Sequence, residues 1–315
     1  MKINSLSIFL TRRCNYRCQY CSTNTGQDPE DKLTLDELED IVLQAKSLGA
    51  KWLIIPGQGE PFLDENLFPL LDFAVDQGLR TKIFTNGSLI NRETAIELYK
   101  KKVAIVYKLH ALDKSLYDSL AGKKHATVWI PYCVDPAINE IVQIPAGLKW
   151  LIDVGYTQKK WSLFESLLQI EVVVLQQNIE QVKSVAQFCR KLGIDLAPET
   201  LIQTPCVTKT MAVTYQQERR LFDELRQILG LHLVVQQWKR CRFETNPCLD
   251  ISGNIRHCCS LPAKELGNIR SVSLKGLHSR ELRCRKRNRM ISPLFSFSHH
   301  GFRLCATRRY LNART

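Results

Sequence analysis

The sequence lacks any long hydrophobic run. No stretch approaches the roughly 18 uninterrupted apolar residues of a membrane-spanning helix, and the apolar run nearest the N-terminus, Leu6 to Leu10, is too short for the core of a signal peptide. Low-complexity tracts are also missing, and a content of 44% hydrophobic and 24% charged residues is ordinary for a globular protein. These absences argue against membrane-spanning and low-complexity classes and predict a cytoplasmic protein.

Cysteine, in contrast, is abundant, with 12 residues in a chain of 315. Disulfide frameworks are typical of small secreted domains, and this chain is neither small nor visibly exported. Clustered cysteines in a reducing compartment more often bind metal or perform redox chemistry. They form an N-terminal group, a scattered middle group that we interpret as structural, and a C-terminal group: Cys14, Cys18 and Cys21; Cys133, Cys189 and Cys206; Cys241, Cys248, Cys258, Cys259, Cys284 and Cys305.

Positive charge is concentrated at the C-terminal end. Residues 261–315 contain 13 Lys and Arg against 2 acidic residues, which accounts for most of the net charge of +13. A solvated basic tail is one interpretation; a docking surface for an anionic partner, or compensation for an anionic metal centre, is the other. The basic run 283–289 has no interleaved aromatic residues, which weakens an RNA-stacking interpretation.

Apolar β-rich segments alternate with amphipathic helical patterns over the first 230 residues. The predicted strands are 5–10, 52–56, 81–85, 103–109, 170–175 and 195–202, and the predicted helices are 35–48, 67–77, 93–101, 144–154, 179–192 and 216–229. Six βα units predict an α/β fold with a parallel sheet, either a partial (β/α)6 TIM-type barrel or a doubly wound sheet. Either fold places ligands at the C-terminal ends of the strands.

Two regions break the rhythm. Residues 123–143 contain Pro131 and Pro136 and form an insertion near the substrate mouth or a simple loop decoration. After about Trp238 the helical periodicity disappears, and short β-like pieces at 249–251 and 255–257 flank a turn at Ser252-Gly253-Asn254. We therefore predict a first domain over 1–235 and a smaller one over 236–315.

The N-terminal cysteines place three thiols within eight residues, Cys14-x3-Cys18-x2-Cys21, directly after the first strand. Three soft thiolates suit zinc or an iron–sulfur cluster. Structural zinc needs four protein ligands, and no fourth Cys or His is nearby. Three thiolates on a four-iron cluster leave one iron open for another ligand. A zinc site that takes a distant fourth ligand remains the alternative.

This arrangement resembles the radical S-adenosylmethionine (SAM) superfamily, whose signature is CX3CX2C with an aromatic residue, here Tyr20, before the third cysteine. The segment Gly57-Gln58-Gly59-Glu60-Pro61 follows the second strand and resembles the GGEP motif of that family, which contacts the amino group of SAM. Thr85-Asn86-Gly87 is similar to a tripeptide that ends its third strand, so that Asn86 also becomes a candidate for cofactor binding. The likeness covers roughly residues 5 to 202.

The resemblance implies a [4Fe–4S] cluster on Cys14, Cys18 and Cys21, with SAM bound to its open iron. An electron, from a reductant such as flavodoxin or ferredoxin, would cleave SAM, and the resulting 5′-deoxyadenosyl radical would abstract hydrogen from a substrate. The three cysteines are therefore the expected catalytic residues and Glu60 the partner of the SAM ammonium.

Further candidates come from strand ends. Lys108 and His110 share one strand face, and if that face points into the barrel they lie against substrate or the SAM carboxylate; a surface strand end is the alternative. Glu199 has a similar position near the sixth strand. Gln176 and Asn178 follow the fifth strand. They are candidates for SAM contacts, and a helix cap is the alternative.

The C-terminal cysteines show a second resemblance. Cys241-x11-Gly253-x4-Cys258 is similar to the opening of the auxiliary-cluster module called SPASM, or Twitch in its short form, and Leu266-Gly267-Asn268-Ile269 fits as well. The dense CX2CX5CX3C run of full modules is missing, which implies one auxiliary [4Fe–4S] cluster completed by Cys284 and Cys305. Arg308 stands where Twitch modules have a last cysteine. Cys248 or Cys259 are substitutes, and a degenerate module without a cluster is the alternative.

The expected reaction is an oxidative modification of a small molecule, such as a sugar or aminocyclitol, or of a peptide. We expect no separate leader-peptide domain before the barrel, which favours a small molecule, whereas the basic C-terminal region favours an acidic peptide or a phosphorylated substrate. RNA modification and a non-catalytic iron–sulfur electron carrier are the alternative functions.

Overall fold

The computed structural model describes residues 3–23, 25–122, 127–158, 160–162, 165–201, 209–230, 247–256 and 265–276. Its strands are β1 Ser5–Ile8, β2 Trp52–Ile55, β3 Arg80–Thr85, β4 Ala104–Lys108, β5 Trp129–Asp135, β6 Glu140–Pro145, β7 Lys160–Ser162, β8 Glu165–Ser166, β9 Leu168–Val174, β10 Asp195–Thr200, β11 Cys248–Leu249, β12 Asn254–Arg256 and β13 Glu265–Asn268. Its α-helices are α1 Leu35–Ser47, α2 Leu67–Asp76, α3 Arg92–Lys100, α4 Lys114–Ala121, α5 Ala146–Asp153, α6 Ile179–Leu192 and α7 Tyr215–Leu229.

Six of these strands form the predicted parallel sheet. Its order is β10-β9-β4-β3-β2-β1, with each neighbouring pair parallel, and each of the six lies where the sequence predicts a strand. The partial (β/α)6 barrel is confirmed. Because helices cover the sheet, its strands are largely buried: all four residues of β1 are buried, and in β3 every second residue is.

The helices follow the predicted amphipathic pattern. At the start of α1, Glu37 N–H donates to Thr34 Oγ1, and the Thr34 N–H donates to the Glu37 carboxylate, which completes the capping box. The buried residues of α1, among them Ile41 and Val42, recur at helical spacing and pack into the main core. Among the described residues, no helix has the length and apolar character needed to cross a membrane.

The connection from β4 to β9 is more elaborate than the sequence predicts. It contains α4, which we did not predict, then the antiparallel hairpin of β5 and β6, and then α5. The hairpin occupies most of the segment interpreted as an insertion, and Ile138 and Ile141 on it are exposed. Helix α5 starts two residues later than predicted, because Ile144 and Pro145 belong to β6.

The predicted C-terminal hairpin forms and continues the main sheet. Strand β11 pairs in parallel with β1, through Ser7 with Cys248 and Ile8 with Leu249, and β12 and β13 follow antiparallel. The turn is organised by Asp250, whose carboxylate accepts hydrogen bonds from the backbone N–H groups of Ser252 and Asn254 and from the Arg256 side chain. The division into domains 1–235 and 236–315 stays a prediction.

Candidate active site

The loops at the C-terminal ends of the parallel strands enclose one cavity. The loop after β1 supplies the three cysteines, and the ends of β2, β3, β4, β9 and β10 supply the rest of the wall. Among the residues predicted for the site, those that line the cavity are Cys14, Cys18, Tyr20, Cys21, Gly57, Gly59, Glu60, Asn86, Lys108 and His110. Pro61 does not line it; this residue is buried at the start of a single 3-10 turn, Pro61–Leu63.

The cysteine loop is fastened to α4. Arg17 N–H donates to the carbonyl oxygen of Ala121, and Gln19 N–H donates to that of Leu120. Gly122 ends α4 with a left-handed φ of 67°, and a Cβ on it would lie 1.9 Å from the Arg17 carbonyl oxygen. Helix α4, missed by the sequence prediction, therefore sets the position of the loop between Cys14 and Cys18.

The sulfur atoms of the cysteine loop lie close to a few polar groups of the same loop. Tyr16 N–H donates to Cys14 Sγ at 3.4 Å, and Cys21 Sγ lies 3.2 Å from the hydroxyl oxygen of Thr23. Burial raises the pKa of the Cys14 thiol and raises that of Cys18 to about 12. Thiols in such surroundings ionise when a metal binds and releases their protons.

The donor set fits an iron–sulfur cluster better than a single ion. In the part of the chain that the structure describes, no three metal-ligating side chains converge on one metal ion, as a zinc site requires. Three thiols spread around one cavity would suit a larger four-iron cluster, and three thiolates would leave one of its irons free for a ligand that is not a cysteine.

The glycine at position 59 has a packing role in addition to its place in the cavity wall. A Cβ there would lie 2.2 Å from the carbonyl oxygen of Arg13, and the next residue, Glu60, donates its N–H to that same oxygen at 2.8 Å. The residue thus approaches the backbone of the cysteine loop more closely than any other residue type could. Gly59 lets the loop after β2 pack directly against the loop after β1.

Glu60 connects the loops of β2 and β3. Its side chain is buried, and Oε1 accepts hydrogen bonds from Thr85 Oγ1 at 2.6 Å and Phe62 N at 3.4 Å, while Oε2 accepts from Asn86 N at 2.9 Å. Burial raises the pKa of this carboxyl to about 7. No cationic side chain hydrogen-bonds or forms an ion pair with the carboxylate among the described residues, so a cationic ligand group would stabilise its ionised form.

Asn86 extends this connection to the cysteine loop. Its side-chain amide donates to Asn15 Oδ1 at 2.9 Å, and Asn15 in turn donates to Ser88 Oγ. Sequence reasoning missed Asn15, although it stands between two candidate ligands, because nothing in its local pattern distinguishes it from a solvated loop residue. Three loops are thus joined by polar contacts behind the cavity wall.

The opposite wall is charged. Lys108 contacts the carboxylate of Glu171, its register partner on β9, and Glu199 stands near the end of β10. Burial lowers the pKa of Lys108, and it raises that of Glu199, which the charge of Lys108 opposes. Sequence reasoning missed Glu171; the available signal was a single acidic residue within the apolar strand Leu168–Val174.

His110 is neutral and fixed in orientation. Its ring is 2% exposed, and burial lowers its pKa to about 3. Nδ1 accepts the N–H of Val173 at 3.1 Å, so the ring proton resides on Nε2, which has no hydrogen-bond partner among the described residues. The ring of Tyr20 packs edge-to-face against it, with centroids 4.4 Å apart. Tyr20 and His110 thus form one part of the wall.

The two candidates after β9 do not line the cavity. Asn178 is fully buried, and its amide donates to the carbonyl oxygens of His110 and Val173 and accepts from Leu175 N. Asn178 occupies the N-cap position of α6, but its side chain makes no capping hydrogen bond and instead closes the preceding loop. Gln176 is exposed.

The remaining cysteines divide into two sets. The predicted auxiliary-cluster ligands lie outside the described residues: Cys241, Cys258, Cys284 and Cys305. The substitute Cys259 and the middle-group Cys206 lie outside them as well. The auxiliary cluster therefore stays a prediction. Cys248 is buried on β11, next to β1; Cys189 is buried in α6, and Cys133 is exposed on β5.

Comparison with known proteins agrees with this geometry. Residues 8–130 match the family model described as Radical SAM superfamily. Mycofactocin maturase MftC of Mycolicibacterium smegmatis is 26% identical over 220 residues, covering 69% of this chain and 50% of the relative. An AdoMet-dependent heme synthase of Methanosarcina barkeri is 34% identical over 186 residues, covering 58% and 46%. The chain thus spans about half the length of these curated relatives.

Among solved structures, Streptococcus suis SuiB bound to S-adenosylmethionine superposes with a TM-score of 0.67 at 22% identity, covering 87% of this chain and 64% of that chain. At this identity the likeness supports the fold. SuiB has also been solved with its precursor peptide SuiA.

Proposed function

The chain carries a radical SAM domain, and from this premise we propose that it is an enzyme that cleaves S-adenosylmethionine reductively and abstracts a hydrogen atom from an organic substrate. Cys14, Cys18 and Cys21 would hold the [4Fe–4S] cluster, with SAM beside it in the cavity. The observation that carries the proposal is the placement of these thiols and the buried Glu60 carboxylate on one wall, at the C-terminal ends of a parallel sheet.

The cluster and SAM, when bound, supply the electron transfer and the hydrogen abstraction. The chain's own residues bind, orient and exclude water. Glu60 offers a buried carboxylate to the ammonium of SAM, with Gly57 beside it and with Thr85 and Asn86 holding it in place. Tyr20, from the cysteine loop, packs against His110 in the cavity wall.

The substrate would be a peptide or a small molecule that undergoes an oxidative change. The maturase among the relatives, and the precursor peptide bound by the structural neighbour, favour a peptide. The heme synthase favours a small molecule. A reductant such as flavodoxin or ferredoxin would deliver the electron, and the exposed Arg17 beside Cys14 suits an acidic carrier.

Anaerobically reconstituted protein is expected to convert SAM to 5′-deoxyadenosine when dithionite is added, measured by chromatography. Replacing Cys14, Cys18 and Cys21 together by alanine should abolish the product, because no site for the cluster remains. Cys133→Ala is the matched control, since that thiol is exposed on β5, away from the cavity. Normal product formation by the triple variant would refute the proposal.

A further inference from the structure

Carboxylates outnumber cations in the cavity wall. Among the described residues that line it, the acidic side chains are Glu60, Glu171 and Glu199, and the basic one is Lys108. Carboxylates in a partly buried wall need partners, because loss of hydration destabilises an unpaired carboxylate. The part of the cavity wall that the structure describes therefore favours a positively charged occupant.

Two of the three carboxylates have partners within the protein. Glu60 accepts three hydrogen bonds from its own and the neighbouring loop. Glu171 is 1% exposed and contacts the ammonium of Lys108, its register partner on the adjacent strand. The single lysine of the wall is thus committed to Glu171.

Glu199 differs from both. In the described ranges its carboxylate makes no hydrogen bond and no ion pair, and Lys108, the nearby cation, contacts Glu171 instead. The adjacent Thr200 does not donate to Glu199, because its hydroxyl contacts Glu218 on α7. Glu199 therefore presents to the cavity a carboxylate that no described side chain contacts directly, while the charge of Lys108 acts on it without an ion-pair contact.

His110 supplies a second, independent sign of a ligand. Its Nε2–H is buried and unpartnered among the described residues, and a buried donor without an acceptor is destabilising. Val173 joins the two groups: it donates its N–H to His110 and is the register partner of Glu199. A carboxylate and a neutral donor, each without a hydrogen bond among the described residues, thus flank one position of β9.

We propose that the substrate carries a protonated nitrogen, which Glu199 binds, and a nearby hydroxyl or carbonyl oxygen, which accepts from His110 Nε2. This rests on the proposed function in taking the cavity as the substrate site. A lysyl residue of a peptide and an amino sugar share this chemistry. The proposal opposes the anionic substrate suggested by the basic residues 261–315, since the described residues that line the cavity carry more negative than positive groups.

The test uses reconstituted, SAM-loaded protein and four probes in two matched pairs. N-acetyl-lysine methylamide is compared with N-acetyl-norleucine methylamide, and glucosamine with glucose, by ligand-observed NMR titration. At least one cationic probe should bind ten-fold or more tightly than its neutral partner. Glu199→Gln should reduce that ratio below two-fold, whereas Glu180→Gln, on the exposed face of α6, should leave it unchanged.

Equal binding within both pairs, or a ratio that survives Glu199→Gln, would overturn the inference. A SAM affinity that falls with Glu199→Gln by the same factor as probe binding would also overturn it, because Glu199 would then serve the cofactor. The pair that shows the preference identifies a peptide or an amino sugar as the source. Charge selectivity without 5′-deoxyadenosine formation would refute the proposed reaction and leave this binding site standing.

Discussion

At the scale of single residues, Glu60 combines a structural and a binding role in one carboxylate. We expect Glu60→Gln to weaken SAM binding by roughly 1.5–3 kcal/mol, the size of a charge-assisted hydrogen bond, because the ammonium loses its counter-charge. Isothermal titration with the oxidised cluster measures the loss. Iron content should stay at the wild-type value, since Glu60 is not a ligand.

Thr85→Val is the control that separates charge from geometry. It removes the hydroxyl that donates to Glu60 Oε1 but keeps the carboxylate. If Thr85→Val weakens SAM binding as much as Glu60→Gln, the carboxylate acts only by holding the loops. Loss of iron from Glu60→Gln would count against its assigned role in the same way.

The pKa of Glu60 gives SAM binding a defined pH dependence. Burial raises that pKa to about 7 in the ligand-free protein, whereas a bound ammonium stabilises the ionised form and lowers it. SAM affinity should therefore fall as the pH decreases through about 7 and reach a plateau above it, by linkage. In titrations from pH 6 to pH 8, Glu60→Gln should lack this step; an identical step in the variant would assign it to another group.

At the scale of elements, α4 and its terminal glycine position the cysteine loop. Gly122→Ala should destabilise the apo-protein by about 1–2 kcal/mol for its left-handed backbone and by about 1–3 kcal/mol more for the contact with Arg17. Gly193→Ala is the matched control: it ends α6 with the same φ of 67°, and nothing lies within 4 Å of its added Cβ.

Denaturant unfolding of the two variants measures this difference, and iron analysis after reconstitution shows its effect on the site. Only Gly122→Ala should also lose iron, because Arg17 stands between two ligands. Equal destabilisation of both variants with full iron content would mean that α4 does not position the loop.

The sequence predicts the elements that have a local signature. The capping box of Thr34 and Glu37 marks the start of α1, and the Cys14-x3-Cys18-x2-Cys21 spacing marks the cysteine loop. The sequence did not predict α4, because its eight residues are too few to show a clear helical periodicity. Short helices of this kind are fixed by tertiary contacts.

The parts of the site that the sequence could not predict arise from contacts between elements. Glu171 becomes part of the wall only because β9 pairs with β4 in a register that places it beside Lys108. The fit of Gly59 against Arg13 depends on how two loops meet. No local pattern encodes either distance, whereas the strand-end rule for parallel sheets correctly located the cavity.

At the scale of the whole molecule, iron content tests whether the predicted second domain holds a cluster of its own. The Cys14, Cys18 and Cys21 triple-alanine variant should retain about four irons per chain if one cysteine-held cluster is present in 236–315. Iron and sulfide analysis with Mössbauer spectroscopy gives the number. The expected ligands are Cys241 and Cys258 with two of Cys248, Cys259, Cys284 and Cys305.

Near-zero iron in that variant would favour a degenerate module and a reaction that uses only the SAM cluster. About eight irons would mean two auxiliary clusters and additional ligands. Replacing Cys189 by alanine offers a control for general loss of fold, since that thiol is buried in α6, outside the proposed ligand sets.

The pairing of β11 with β1 has a consequence for biosynthesis. During translation β1 can pair with β2 early, but its other edge stays open until Cys248 and Leu249 emerge, nearly 200 residues later. At ribosomal speeds of about 5–20 residues per second, this interval lasts roughly 10–40 s. The strand that leads into the cysteine loop is thus an unprotected edge in the nascent chain. A cluster held by this loop would therefore rest on a completed sheet only after Leu249 has been translated.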